Sequence, residues 1–238
     1  MSITLISLVA IGGLVTGAPD AGWHKNAFFG LHYDLHPNEK DTELGRETTY
    51  EGIRAELEKV KPDFVQYDCK GHPGWAGYPT KVGSPSPGIV NDALKVWRKV
   101  TKDMGIPLSI HYSGVWDTRA IQLHSEWARI AEDGKPDPNN TDPLSDYTEK
   151  LMIPQLLEVI ENYDIDGVWI DGENWASAPC YSDRCKAEFT KRTSTAEIPM
   201  KKGDPHWDEW LAFQRDLFTE HVTKVTTALH AKSGSPRK

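Results

Sequence analysis

Short apolar runs alternate along the chain with longer stretches whose apolar residues recur every three or four positions, the periodicities of buried strands and amphipathic helices. The first strand is read over Ala27 to Leu35, followed by a helix over Tyr50 to Val60 with Ile53, Leu57 and Val60 on one face. Asp63 to Cys69 is the second strand, and a Pro- and Gly-rich loop runs from Gly71 to Gly88. Connections between strands and helices are usually much shorter, and loops of this length tend to be functional. A second helix, Asn91 to Met104, opens on Asn91 or Asp92 and closes at Gly105. The third strand is Pro107 to Ser113, followed by a short helix at Ala120 to Ala131 and a loop rich in Asp, Asn and Pro from Gly134 to Asp146. Tyr147 to Tyr163 reads as the third long helix, Gly167 to Asp171 as the fourth strand, Cys180 to Thr195 as partly helical, and Trp207 to Ala231 as an amphipathic helix.

Strand and helix in alternation, with crossovers long enough for parallel pairing, predict an α/β protein with a mostly parallel sheet. A closed barrel of this kind needs eight βα units in roughly 250 residues. About four are read here before Ser233-Gly-Ser-Pro-Arg-Lys238, so the expected fold is a partial TIM-type (β/α) barrel. Residues 19–238 are read as that incomplete barrel. Residues 1–18 form a signal-like segment, with an apolar stretch from Ile3 to Val15 and small residues at Gly17 and Ala18. Export to the periplasm or the medium follows from that reading, and a cytoplasmic location follows if the stretch is an internal strand. It is too short to span a membrane.

Composition narrows the function classes. A chain of 238 residues with 38% hydrophobic content can bury a sizeable core. Its formal net charge of -8, without a dense Lys/Arg stripe, argues against nucleic acid as a partner. Nine Trp and eight Tyr supply flat rings that can cover the C–H face of a sugar, and core packing accounts for many of them. Three cysteines do not make a disulfide framework, and Cys180 and Cys185 have the wrong interval for a Cys-x-x-Cys motif. A local disulfide between them is open in an oxidising compartment. No cofactor and no structural metal are expected.

The strand ends carry the chemistry. Alternation along Val168 to Glu173 sends Trp169, Asp171 and Glu173 to one face, with residues two apart separated by roughly 6.6 Å. Two carboxylates at the carboxyl end of a parallel strand suggest cleavage of a glycosidic bond, with Asp171 as the ionised nucleophile and Glu173 as a candidate partner. In a retaining glycosidase the two carboxyl groups stand roughly 5 to 5.5 Å apart. The plainer reading is an Asp-Gly turn with Glu173 capping the next segment. Strand 1 offers His32, Asp34 and His36, strand 2 ends in Lys70, His72 and Trp75, and strand 3 ends in His111-Tyr112-Ser113. Lys70 and His72 are candidate donors to sugar hydroxyls and to Asp171, and Trp75 is a candidate platform for a sugar face. Alternatively, the His-x-Asp-x-His trio is a solvent-facing strand edge, or a set of metal ligands working with Asp171.

From Phe28 to Ala231 the chain resembles the α-L-fucosidase-like glycoside hydrolases. Gly167-Val-Trp-Ile-Asp171-Gly172 is similar to the family's Trp-Phe-Asp-Gly, which implies that Asp171 is the nucleophile of a retaining mechanism. Phe29-Gly30-Leu31 resembles the start of the family's first strand, with His32-Tyr33-Asp34 in place of its His-Trp. Lys70-Gly71-His72 is similar to its Lys-His-His-Asp-Gly, with Gly71 for the middle His, and His111-Tyr112-Ser113 to its Tyr-Tyr-Ser. The resemblance implies a carbohydrate substrate bound at these strand ends by His32 or Asp34, Lys70, His72, His111, Tyr112 and Trp169, to which the residue reading adds Trp75. It also implies a fifth strand and an acid/base Glu after the last helix, where the sequence has none. Two readings follow: part of a larger hydrolase, or a half-barrel that pairs with a second copy through its open edges. A non-catalytic carbohydrate-binding half-barrel is the alternative to both.

Overall fold

The computed structural model describes residues 22–172 and 178–233, so the signal-like segment and Glu173 lie outside the described residues. In chain order the elements are β1 (Gly30–Tyr33), α1 (Tyr50–Val60), β2 (Phe64–Lys70), β3 (Trp75–Ala76), β4 (Ser84–Pro85), α2 (Ala93–Met104) and β5 (Leu108–Ser113). They continue as α3 (Thr118–Leu123), β6 (Ala128–Ile130), β7 (Pro136–Thr141), α4 (Ile153–Tyr163), β8 (Gly167–Asp171), α5 (Asp183–Thr193) and α6 (Trp207–Ser233). β1, β2, β5 and β8 pair in parallel in that order, and the short β3 and β4 attach beyond the end of β2. Among the described residues the sheet is open, with β1 and β8 at its parallel edges. This is the expected partial barrel of four βα units.

The helices form where local chemistry starts and stops them. Thr49 caps α1 by accepting from the Gly52 N–H, and Lys61 ends it in the left-handed region. Asp92 caps α2 through the Lys95 N–H, and Gly105 closes it at φ 68°, a conformation glycine adopts without steric cost. Leu94, Trp97, Val100 and Thr101 are buried at the three- and four-residue spacing of one helical face. They cover the side of the sheet that presents Val65, Tyr67, Leu108 and Ile110, all fully buried. Burial of each large apolar side chain there contributes about 1.5–3 kcal/mol. Asp166 fastens the lower ends of two strands: its carboxylate accepts from the Leu108 N–H at 2.9 Å and from Arg98 of α2 at 2.7 Å. A second apolar cluster, built on Phe189, Trp210, Phe213 and Leu217, joins α5 to α6. No helix among the described residues is long and apolar enough to cross a membrane.

Four segments differ from the sequence reading, one being the Gly71 to Gly88 loop, which holds the short β3 and β4. β1 is shorter than Ala27 to Leu35: the N–H groups of Phe28 and Phe29 donate to the Asp63 carboxylate, each at 2.8 Å, instead of to a strand. At its other end the chain leaves the sheet, and His36 stands at φ 40°. The expected helix at Ala120 to Ala131 is α3 followed by a 3-10 turn and then β6. The expected loop Gly134 to Asp146 contains β7, which pairs antiparallel with β6. Arg129 and Asp137 form an ion pair across this hairpin, and Asp137 also accepts from the N–H groups of Asn139 and Asn140. Non-local pairing here overrides local helical spacing.

Candidate active site

Alternation along the strands sorts the side chains between two faces. The face opposite the α2 side carries His32 of β1, Asp68 of β2, His111 and Ser113 of β5, and Trp169 and Asp171 of β8. Register places Asp68 beside His111 and His111 beside Trp169, and sets Ser113 level with Asp171. Between Asp68 and Lys70 the pairing of β2 with β5 shifts by one residue, leaving Cys69 as a bulge.

At the centre is an imidazole between two carboxylates. His111 Nδ1 is 2.8 Å from Asp68 Oδ1, and His111 Nε2 is 3.3 Å from Asp171 Oδ2. Asp68 is fully buried and also accepts from the His36 N–H at 2.7 Å. Burial alone would lower the His111 pKa, but the hydrogen bonds and charges of Asp68 and Asp171 outweigh it and raise the pKa above the usual histidine value. Burial likewise pushes Asp68 upward, and His111 with the His36 N–H brings it below the ordinary carboxylate range. His111 is therefore the bridge between the two carboxylates, which together favour its protonated form. Its other oxygen partner being Asp171, the imidazole fixes one carboxylate oxygen while the Gly172 N–H donates to the second at 2.7 Å.

The sign of the pH effect follows. A histidine whose folded pKa exceeds its unfolded value of about 6.5 adds stability that is fully present below the unfolded pKa and is lost as pH rises through the folded one. Asp68→Asn should move the His111 midpoint, followed by NMR of its ring protons, down towards the ordinary value and flatten that stability loss. An unmoved midpoint would show that Asp68 does not hold the charge.

His72 approaches Asp171 from the loop beyond β2. Its Nε2 is 3.6 Å from Asp171 Oδ2, its Nδ1 is 2.6 Å from Ser113 Oγ, and its ring stacks on Trp116 with centroids 4.5 Å apart. The Ser113 hydroxyl donates to the Trp116 carbonyl at 2.7 Å, so its one proton is committed and His72 Nδ1 is the donor of the short contact. Burial lowers the His72 pKa despite the opposing charge of Asp171. With Nδ1 directed to Ser113, the ring turns Nε2 towards Asp171, where it can meet a group bound beside the carboxylate. Beside this pair a cleft of about 400 Å³ is lined by His72, Trp75, Trp116, Lys40, Thr118 and Asn139.

The structure brings His32, His72, His111, Trp169 and Asp171 together. Trp169, 47% exposed, lies against His111 with centroids 4.9 Å apart, and His32 meets both rings edge-on. Trp75 lines the cleft and lies under Arg119. Asp34 contacts His36 at 3.1 Å. Two expected sugar contacts do not face the site. Lys70 is fully buried, its ammonium 2.8 Å from Asp117 and donating to the Ser113 carbonyl at 2.6 Å, so it is not the donor to Asp171. Tyr112 points to the opposite face and donates to Gln155 at 2.8 Å. Asp68, Ser113, Trp116 and Asp117 stand in the polar runs at the ends of the second and third strands, but the sequence reading gave them no role. Asp68 could have been found by carrying the alternation used along Val168 to Glu173 onto the second strand.

The expected trio of His32, Asp34 and His36 does not converge, because β1 ends at Tyr33 and His32 turns to Trp169. Among the described residues, His36, Asp68 and His111 offer possible metal-ligand atoms within 4.8 Å of one another, as do Asp142, Cys180 and Cys185. In the first set the same atoms are already joined as His–Asp contacts, which account for their proximity without an ion.

No protein-family model matches the sequence, and no curated protein matches it by sequence. Solved structures do match. The α-L-fucosidase isoenzyme 2 from Paenibacillus thiaminolyticus aligns with a TM-score of 0.71 at 22% identity, over 86% of this chain and 31% of that one. The α-L-fucosidase from Vibrio sp. strain EJY3 aligns with a TM-score of 0.57 at 13% identity, over 93% of this chain and 38% of that one. The chain thus spans about a third of the length of these solved proteins. At such identities the likeness is one of fold. In its fold the chain is α-L-fucosidase-like, in agreement with the resemblance of its strand-end motifs.

Proposed function

We propose that the chain carries the nucleophile side of a glycoside hydrolase site that cleaves α-linked L-fucose or a related deoxyhexose with retention, Asp171 being the nucleophile. The observation that carries this reading is the Asp171 carboxylate itself. It sits at the carboxyl end of a parallel strand, held by His111 and the Gly172 N–H, with imidazoles and indoles beside it and its side chain 34% exposed. In the first step an Asp171 oxygen attacks the anomeric carbon as the glycosidic bond breaks, and the leaving oxygen takes a proton from an acid. His111 orients the attacking group. A substrate hydroxyl pairs with His72 Nε2, and the indole of Trp169 or Trp116 covers the apolar sugar face. Glu173 is the candidate proton donor by sequence spacing.

The test is hydrolysis of aryl α-L-fucosides, with aryl galactosides alongside, by the chain and by its Glu173→Gln variant. Fucosides should be turned over, and the variant should slow poor leaving groups more than good ones, because only the former need the proton. No hydrolysis of any fucoside by this chain would leave the non-catalytic reading. Equal slowing for all leaving groups would remove Glu173 from the role.

A further inference from the structure

Cys180 and Cys185 stand outside the candidate site and serve no step proposed for it. Both side chains are fully buried in the cluster of Phe189, Trp210 and Phe213. Their sulfurs and an Asp142 oxygen lie within 4.8 Å of one another. The backbone holds the two residues in place independently. The Cys180 N–H donates to Gln214 of α6 at 3.2 Å, the Tyr181 N–H donates to the Ile130 carbonyl at 2.8 Å, and the Cys185 N–H donates to Ser182, the cap of α5, at 3.2 Å. Two buried thiols whose sulfurs the backbone holds this close are placed for joining to each other.

The third member of the cluster decides between a metal and a disulfide. Asp142 Oδ2 accepts from Ser182 Oγ at 2.7 Å and meets Arg184 at 3.1 Å, while its Oδ1 accepts from the Leu144 N–H at 2.9 Å. Arg184 already balances the charge of this carboxylate, and the three ligand atoms gathered here fall short of the four that a structural zinc takes. Loss of the Cys185 thiol proton, by contrast, removes only a 3.5 Å contact to Asp142, which keeps its other partners. We infer that Cys180 and Cys185 form a two-electron thiol–disulfide couple that closes during folding in an oxidising medium and staples the N-terminus of α5.

The chemistry balances with a low-molecular-weight disulfide as oxidant. The thiolate of one cysteine attacks one sulfur of the oxidant, forming a mixed disulfide and expelling a thiolate. The other cysteine then gives up its proton and attacks the mixed disulfide at the first cysteine's sulfur, expelling the second thiolate. The protein loses two protons and two electrons, and the oxidant becomes two thiols. Burial of both sulfurs places the reaction in folding or local opening, before the cluster closes.

The experiment uses the full chain, reduced, unfolded and refolded in a mixture of reduced and oxidised glutathione, then alkylated in denaturant without reductant. Of the three cysteines, only Cys69 should take the label, and all three should take it after reduction. The oxidised protein should melt roughly 4–8 °C above the reduced one, as expected for closing a six-residue loop in a chain of this size. A Cys180→Ala/Cys185→Ala protein should melt at one temperature in both media. Three labels without reductant, pairing of Cys69 with either partner, or one equivalent of zinc retained by the reduced pair would each overturn the inference. These readouts do not involve glycoside turnover.

Discussion

Asp171→Asn should reduce kcat/KM on an aryl α-L-fucoside by on the order of 10³-fold or more, equivalent to about 4 kcal/mol of lost transition-state stabilisation. The substitution keeps the shape of the side chain and its hydrogen bond from the Gly172 N–H, but an amide cannot form the glycosyl ester. The effect should fall on kcat, with sugar affinity changed only a few-fold, because His72 and the indoles remain. Asp171→Gly extends the argument: azide can enter the space of the missing carboxylate, and should restore turnover while giving a fucosyl azide of inverted configuration. Unchanged turnover in Asp171→Asn would remove the nucleophile assignment. Loss of turnover without azide rescue would leave Asp171 as a positioning group.

Lys70→Met should cost about 3–5 kcal/mol of stability, the usual penalty for breaking a buried ion pair from one side. For a domain of this size that corresponds to a melting temperature lowered by roughly 6–20 °C. The ammonium lies 2.8 Å from Asp117 and 4.2 Å from the centre of the Tyr112 ring. Without it Asp117 keeps Tyr147 at 3.1 Å and the Ala120 N–H at 2.8 Å but remains an uncompensated charge. Adding Asp117→Asn should recover part of the loss, since Asn still caps α3 and no charge is left stranded. A Lys70→Met protein within 1 kcal/mol of the original, by denaturant titration, would contradict this account. The ion pair joins the strand that carries Asp68 to the loop that carries Trp116, so its loss should also blunt activity.

The parts of the molecule that sequence reveals are those fixed by local chemistry. β8 and α1 have the boundaries that the pattern predicts, because an apolar run ending in Asp-Gly and a Thr cap followed by regular spacing leave few alternatives. Lys70 was misread because its partner Asp117 is far along the chain and the bulge at Cys69 upsets the parity by which side chains are assigned to faces, whereas Tyr112 keeps the regular alternation of β5, one step out of phase with His111. β7 was hidden by Pro136 and Pro138, which strands tolerate at an edge where no neighbour needs the missing N–H. His36 became part of the site only through a left-handed backbone that no periodicity encodes. Charged partners and backbone reversals are properties of the assembled fold.

The order of the parallel strands in the sheet is their order in the chain. Each unit that leaves the ribosome therefore finds its neighbour already made, and no strand must wait for one synthesised later in order to insert beside it. The imidazoles of β1 and β5 and the buried ion pair arrive with the earlier units, and Asp171 arrives with β8, the last of the four described parallel strands. The carboxylate thus docks against a wall of side chains already in place, and His111, which orients it, is made before it.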